Sequence, residues 1–213
     1  MIKVLALIGR LPKIDRKAFC DHYENTHVKV AKPFLRHLVR YARNHIEEEL
    51  FGKVDFDVIS SFGYPDKAAL DAMFAANASD EALPILEDER RFMDKPANRF
   101  FEVSERVWKD GDEEDRSIFV LVARPEGMTR TECSRRLLRD DWPALLESLP
   151  GLRFAIVRDA FSMAERPVPF DGILQVSVSG EADVRRFASG LSEKDFRVVA
   201  IRTRRYVTEV PQE

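Results

Sequence analysis

Histidine is missing from most of this 213-residue chain: all four, His22, His27, His37 and His45, fall between positions 22 and 45. Cysteine is nearly as scarce. Cys20 and Cys133 are the two in the sequence, too few for a disulfide framework, so a reducing cytoplasm is the expected setting. No apolar stretch approaches the roughly 18 residues that span a bilayer, which argues against a membrane partner. The opening run Met1-Ile2-Lys3-Val4-Leu5-Ala6-Leu7-Ile8 is short, is broken by Gly9-Arg10 and lacks a small-residue cleavage site; it reads as a strand and not a signal peptide. No Lys/Arg block forms a nucleic-acid footprint, because Arg135-Arg136, Arg139, Arg202 and Arg204-Arg205 are interrupted by acidic or apolar residues. A glycine-rich phosphate loop, a nucleophile elbow and a dinucleotide fingerprint are also absent.

What remains is an ordinary globular balance, 45% hydrophobic and 33% charged with a net charge of -3. The length allows one large or two small domains. Sliding the chain against itself by 114 positions brings Leu7 onto Leu121, Arg10 onto Arg124, Arg16 onto Arg130 and Leu35 onto Leu149. Phe56-Asp57-Val58-Ile59 falls on Phe170-Asp171-Gly172-Ile173. The match runs without gaps over roughly the first 60 residues of each half and sets strands on strands and helices on helices.

Each half reads strand, helix, strand, strand, helix, strand. The first half gives strands over 2–10, 38–46, 55–64 and 99–107. Its helices run from an Asp15 cap to about Ala31, from Asp66 to Ala76 and from Ser79 to Arg90. The second half gives strands over 117–124, 152–158, 170–178 and 197–210. A capping-box pattern, Thr129 with Glu132, opens its first helix, and a short helix runs from Ser179 to Leu191. The order is the split βαββαβ, ferredoxin-like motif, an α+β class. One such half leaves a sheet face bare, so two halves are expected to pack sheet on sheet. The expected division is 1–108, a polar linker over 109–116, and 117–213; two independent domains joined by that linker are the alternative.

The first helix carries Phe19, Tyr23, Thr26, His27, Val30 and Phe34 at three- and four-residue steps, so His27 is predicted to point at the sheet among aromatics. Glu24, three residues earlier, is placed to hold it. His22 lies roughly 140° round a regular helix from His27 and is expected to be solvated. In the second strand Val39, Tyr41, Arg43 and His45 share one face, because side chains alternate. If that face looks at the helices, His45 and Tyr41 meet His27 across the gap, with Asp57 approaching from the next strand. An inward histidine can equally be a hydrogen-bonded core residue. Two of them on adjacent elements, beside a tyrosine and carboxylates, favour chemistry. At the 114 offset His27 falls on Asp141 and His45 on Asp159, so one copy is expected to work and the other to be structural. No HxxxH or similar spacing joins the histidines, so no metal site is expected.

Three segments resemble the EthD family: Phe19-Cys20-Asp21-His22-Tyr23-Glu24-Asn25-Thr26-His27, Tyr41-Ala42-Arg43-Asn44-His45 and Phe56-Asp57-Val58-Ile59. Asp88-Glu89-Arg90-Arg91-Phe92-Met93-Asp94, leading to Phe100-Phe101, resembles that family's terminal segment. The resemblance covers about residues 1–108, and departs at His22-Tyr23, where an aromatic pair is more usual. It implies the dimeric α+β barrel superfamily, with two fused ferredoxin-like units closing a barrel within one chain. It also implies a cleft between a sheet and its own helices. Family members and relatives include dehydratases and cyclases of aromatic polyketides and proteins of ether or aromatic catabolism, generally without an organic cofactor. More distant relatives are monooxygenases or bind haem.

These readings lead to a cofactor-independent lyase, or a related isomerase or cyclase, acting on a small apolar aromatic or cyclic metabolite. His27 and His45 are the expected acid and base; Tyr23, Tyr41, Asp57 and Phe34 are the expected substrate contacts. A monooxygenase, cofactor-free or haem-dependent, and a non-catalytic binder of an apolar metabolite are the alternatives. Whether the chain pairs further into a homodimer is left open by the sequence.

Overall fold

A computed structural model of the chain describes residues 1–111, 114–163, 168–178 and 181–210. The middle of the expected linker and the first two residues of the helix expected from Ser179 lie outside them. The chain divides into two contact units: Met1–His45, Asp55–Phe100 and Tyr206–Glu213 in one, Ile46–Val54 and Phe101–Arg205 in the other. The hydrogen-bonded strand order is β1-β3-β2-β8-β5-β7-β6-β4, an eight-stranded closed antiparallel barrel in a mixed α and β fold. The strands are β1 (Ile2–Ile8), β2 (Arg40–Phe51), β3 (Val58–Tyr64), β4 (Arg99–Lys109), β5 (Arg116–Ala123), β6 (Phe154–Ser162), β7 (Gly172–Ser177) and β8 (Arg197–Thr208). Each lies within a few residues of the strand expected from the sequence.

In the first unit β3 pairs with β1 on one side and the start of β2 on the other, setting Arg43 opposite Ser60 and His45 opposite Val58. Helix α1 (Arg16–His22) starts where predicted, because the Asp15 carboxylate accepts the Ala18 N–H at 2.7 Å. The α-helical pattern then fails. Tyr23–His27 form a π turn, Val28–Val30 (α2) resume the α-helix, and Lys32–His37 tighten to a 3₁₀ turn around Pro33. Helices α3 (Lys67–Asn77) and α4 (Leu83–Phe92) complete the unit, the first capped by Asp66.

The second unit holds α5 (Arg130–Arg136), opened by the Thr129–Glu132 capping box, a second π turn over Leu137–Asp141, α6 (Trp142–Ser148) and α7 (Glu181–Ser192). Strand alternation sends Ile118, Val120 and Val122 of β5, with Ala155, Val157, Leu174 and Val176, into one apolar core against Leu137, Trp142, Leu145 and Val184. Burying each large apolar side chain there contributes about 1.5–3 kcal/mol.

Two irregular features recur at the 114 spacing. The π turns Tyr23–His27 and Leu137–Asp141 are one; a clasp of two arginines on an aspartate is the other. Asp57 accepts the Arg10 backbone N–H at 3.0 Å, the Arg10 guanidinium and Arg16 Nε at 2.9 Å. Asp171 accepts the Arg124 backbone N–H at 2.9 Å and the Arg124 guanidinium, with Arg130 Nε 3.9 Å away. Both carboxylates are buried while the arginines are about one-third exposed. Replacing either aspartate with alanine leaves guanidinium groups and a backbone N–H without their acceptor. Each of Asp57→Ala and Asp171→Ala is expected to lower unfolding free energy by about 3 kcal/mol in urea titrations. Losses under about 0.5 kcal/mol, the level of an ordinary surface change, would contradict the clasp.

Candidate active site

The π turn decides which side chains of the first helical segment meet. In a regular α-helix residues five apart point in different directions, whereas an i→i+5 turn brings them over one another. His22 and His27 therefore converge on one carboxylate from α4. Asp88 Oδ1 accepts from His22 Nε2 at 2.8 Å, and Asp88 Oδ2 accepts from His27 Nδ1 at 2.9 Å. The expected solvated position of His22 is thus corrected: its side chain keeps 29% exposure, and its ring lies 4.4 Å from that of Phe92. The expected inward stripe also needs correction at Thr26, which is exposed, while Phe19, Tyr23, His27 and Phe34 are buried.

His45 is held from the other direction. Its Nε2 donates to Glu24 Oε1 at 2.7 Å, and its Nδ1 is buried without a hydrogen-bond partner. Glu24, expected to hold His27, instead serves His45 and Arg43, whose Nε and Nη2 donate to its two oxygens at 3.0 and 2.6 Å. A guanidinium left 2% exposed would cost several kcal/mol without that carboxylate. Arg43 also donates to Thr208 Oγ1 at 2.6 Å and lies 4.5 Å over the Tyr41 ring.

Tyr23 stands between the two histidines, with ring centroids 5.0 Å from His27 and 5.4 Å from His45, both edge-on. Tyr41 donates to the Tyr23 hydroxyl at 3.3 Å, and Tyr23 in turn bonds to buried Ser60 at 3.1 Å. Phe19, Phe92 and Tyr206 are further ring neighbours of this group. Phe34 is buried in the 3₁₀ turn after α2, and Asp57 is occupied by its arginine clasp. The tyrosines and both inward histidines thus assemble as the strand and helix periodicities suggested. Asp88 is the partner that the periodicities of single elements did not supply, and Glu24 meets His45 and Arg43 in place of His27.

The electrostatics follow from burial and these partners. Burial pushes His27 below the ordinary histidine value, against the Asp88 hydrogen bond, which works upward. Burial also works to raise the Glu24 carboxyl, but hydrogen bonds from His45 and Arg43 outweigh it and hold it below the ordinary range. Tyr23 and Tyr41 are both pushed up, chiefly by burial, so both phenols remain donors near neutrality. With its Nδ1 proton directed at Asp88, His27 is a neutral imidazole whose basic nitrogen is Nε2. Among the described residues no group of three or more His, Cys, Asp or Glu side chains is placed to hold a metal ion. No helix among them is long and apolar enough to cross a membrane.

In the second unit the same π geometry joins the counterparts of His22 and His27: Arg136 Nε lies 3.2 Å from Asp141 Oδ2. Asp159, at the place of His45, accepts from Ser134 at 2.8 Å.

Residues 11–96, the segment that holds the histidines, match the EthD domain model. No curated protein matches the sequence at a significant level. Among solved structures, an anthrone oxidase-like protein is 11% identical, with a TM-score of 0.62 over 99% of this chain and 94% of its own. A monooxygenase candidate from Lactobacillus acidophilus NCFM is 11% identical, with a TM-score of 0.52 over 98% and 95%. A mutant chlorite dismutase from Candidatus Nitrospira defluvii is 6% identical, with a TM-score of 0.53 over 96% and 90%. At these identities the likeness is one of fold.

The depressed His27 makes stability depend on pH. The unfolded chain takes a proton there near 6.5 and the folded chain does so at lower pH. The stabilisation is therefore complete above 6.5 and is lost as pH falls from 6.5 through the folded value. Unfolding free energy measured from pH 8 to 5 should decline in this window for the wild type and decline less for His27→Gln. Equal slopes would show that His27 is not held neutral by the fold.

Proposed function

We propose that the first unit is a histidine acid–base site acting on a small, largely apolar ring compound without an organic cofactor. The observation that carries this reading is the pairing of two buried imidazoles, each held at one nitrogen by a carboxylate, on either side of a protonated tyrosine. A purely structural histidine satisfies both nitrogens; His45 Nδ1 is buried and unpartnered. In this reading His27 Nε2 removes a proton from a carbon alpha to a carbonyl or from a phenol. The Tyr23 and Tyr41 hydroxyls donate to the developing oxyanion, and His45, after taking a proton from solvent at Nδ1, passes it to the leaving oxygen in an elimination, so the proton gained at His27 is balanced by the one given up here. Such positioned acid–base groups contribute roughly 10²–10⁴-fold in rate. Asp57 is assigned to the clasp with Arg10 and Arg16, and Phe34 to the apolar wall.

The same first step supports a second reading, a cofactor-free monooxygenase, and the anthrone oxidase-like neighbour favours it. There a substrate CH₂ loses a proton, reacts with dioxygen and leaves as a carbonyl, the second oxygen atom departing as water. The residues as placed do not fit haem: His45 Nδ1 is buried and the His27 side chain is 6% exposed, so an iron bound at either ring nitrogen would require the surrounding side chains to move. No step is derived through it.

The domain assignment belongs to the same proposal: residues 1–108 form a working ferredoxin-like repeat and 117–213 a degenerate one, joined by 109–116. The 4-1-3-2 sequence read twice in the strand order and the recurrence of π turn and clasp at 114 residues support it.

Turnover can be followed on a panel of cyclic hydroxyketones and anthrones, with and without dioxygen. His27→Ala and His45→Ala should each lower it by about two orders of magnitude or more. Asp141→Ala and Asp159→Ala should change it little. Near-wild-type rates in both histidine variants would overturn the assignment. Turnover lost on removing dioxygen would select the oxygenase over the lyase.

A further inference from the structure

Asp88 is one buried carboxylate serving two imidazoles of unequal exposure. The His27 side chain is 6% exposed and that of His22 is 29% exposed, and both rings lie against Phe92. Placing a charge on the enclosed ring costs more than placing it on the ring that water reaches. One negative charge can compensate one imidazolium; a second would stand beside the first with its charge unmatched. The π turn enforces the arrangement, because His22 and His27 meet the same carboxylate only when residues five apart share a face. Glu89, the other acidic group acting on His27, is already paired with Lys95.

We propose that His22 and His27 act as a coupled pair on Asp88, carrying one extra proton between them. That proton resides on His22 at rest and is given up to water when His27 accepts one from a substrate. The inference rests on the acid–base reading of His27 and adds to it a positioning residue on the solvent side. The balance is simple. His27 Nε2 gains the substrate proton and His22 Nδ1 loses one to solvent. Asp88 stays anionic, and the group of three keeps the same net charge before and after. The buried base thus works without building up charge beneath the aromatic layer. The second unit has no such device: Arg136, at the place of His22, cannot release a proton to match one gained at Asp141.

The test is a histidine NMR titration of the full chain, which needs no substrate. In the wild type each ring's resonances should show an inflection at the other's midpoint, the signature of a coupled pair. His22→Gln keeps a donor for Asp88 but carries no charge, so His27 should titrate higher, by about one pH unit. Asp88→Asn removes the shared charge, and His27 should titrate lower. A role for His22 as a mere hydrogen-bond donor leaves the His27 midpoint unmoved in His22→Gln, and that result overturns the proposal. Independent single-step curves in the wild type overturn it as well, whether or not the variants fold. Failure of the acid–base reading itself is seen separately, as unchanged turnover in His27→Ala while the wild type still shows the coupled titration.

Discussion

Burying titratable nitrogen demands a buried counter-charge, and the first unit is organised by that demand. Three imidazoles and a guanidinium pack among aromatic rings, and two carboxylates compensate them: Asp88 for His22 and His27, Glu24 for His45 and Arg43. Every other feature of the site follows from how the chain delivers those oxygens. The π turn gathers His22 and His27 beneath α4, where Asp88 sits, and sends Glu24 toward β2. Strand pairing then fixes Arg43 and His45 on the face that Glu24 meets. What the carboxylates leave over, His45 Nδ1 and His27 Nε2, is the chemistry the site can offer.

The second unit shows the same scaffold without that demand. Leu137, Leu138, Ala155 and Val157 stand where Tyr23, Glu24, Tyr41 and Arg43 would be, and Leu137, Ala155 and Val157 join the apolar core directly. Residues 178–196 hold α7 alone among the described residues, so no counterpart of α4 is there to supply an Asp88. The Arg136–Asp141 pair fills the place of the histidines with a one-third exposed guanidinium on a buried carboxylate. A π turn stands in both units although only the first uses it to gather histidines.

Much of the architecture was legible because strands announce themselves by alternation and caps by chemistry. Asp15, Asp66 and the Thr129–Glu132 box mark helix starts within a residue. The inward direction of His27, Tyr41 and His45 followed from periodicities of 3.6 and 2. Errors came where a periodicity was broken or where partners came from afar. A π turn has no signature in hydrophobic spacing, so His22 was set on the wrong face, Thr26 on the buried one, and Glu24 beside the wrong histidine. Asp88 lies 61 residues from His27, on a helix whose docking no local pattern reveals. The helix itself is legible from Ser79 to Arg90, but its docking is not.

The central claim is that the two inward imidazoles are held in opposite tautomers so that each presents a basic nitrogen to the site. A ¹⁵N spectrum of histidine-labelled protein at neutral pH reads this directly from the one-bond and long-range couplings of each ring. The account predicts a proton on Nδ1 and a lone pair on Nε2 for His27, and a proton on Nε2 and a lone pair on Nδ1 for His45. An imidazolium pattern at both rings, or His27 protonated at Nε2 alone, would contradict it.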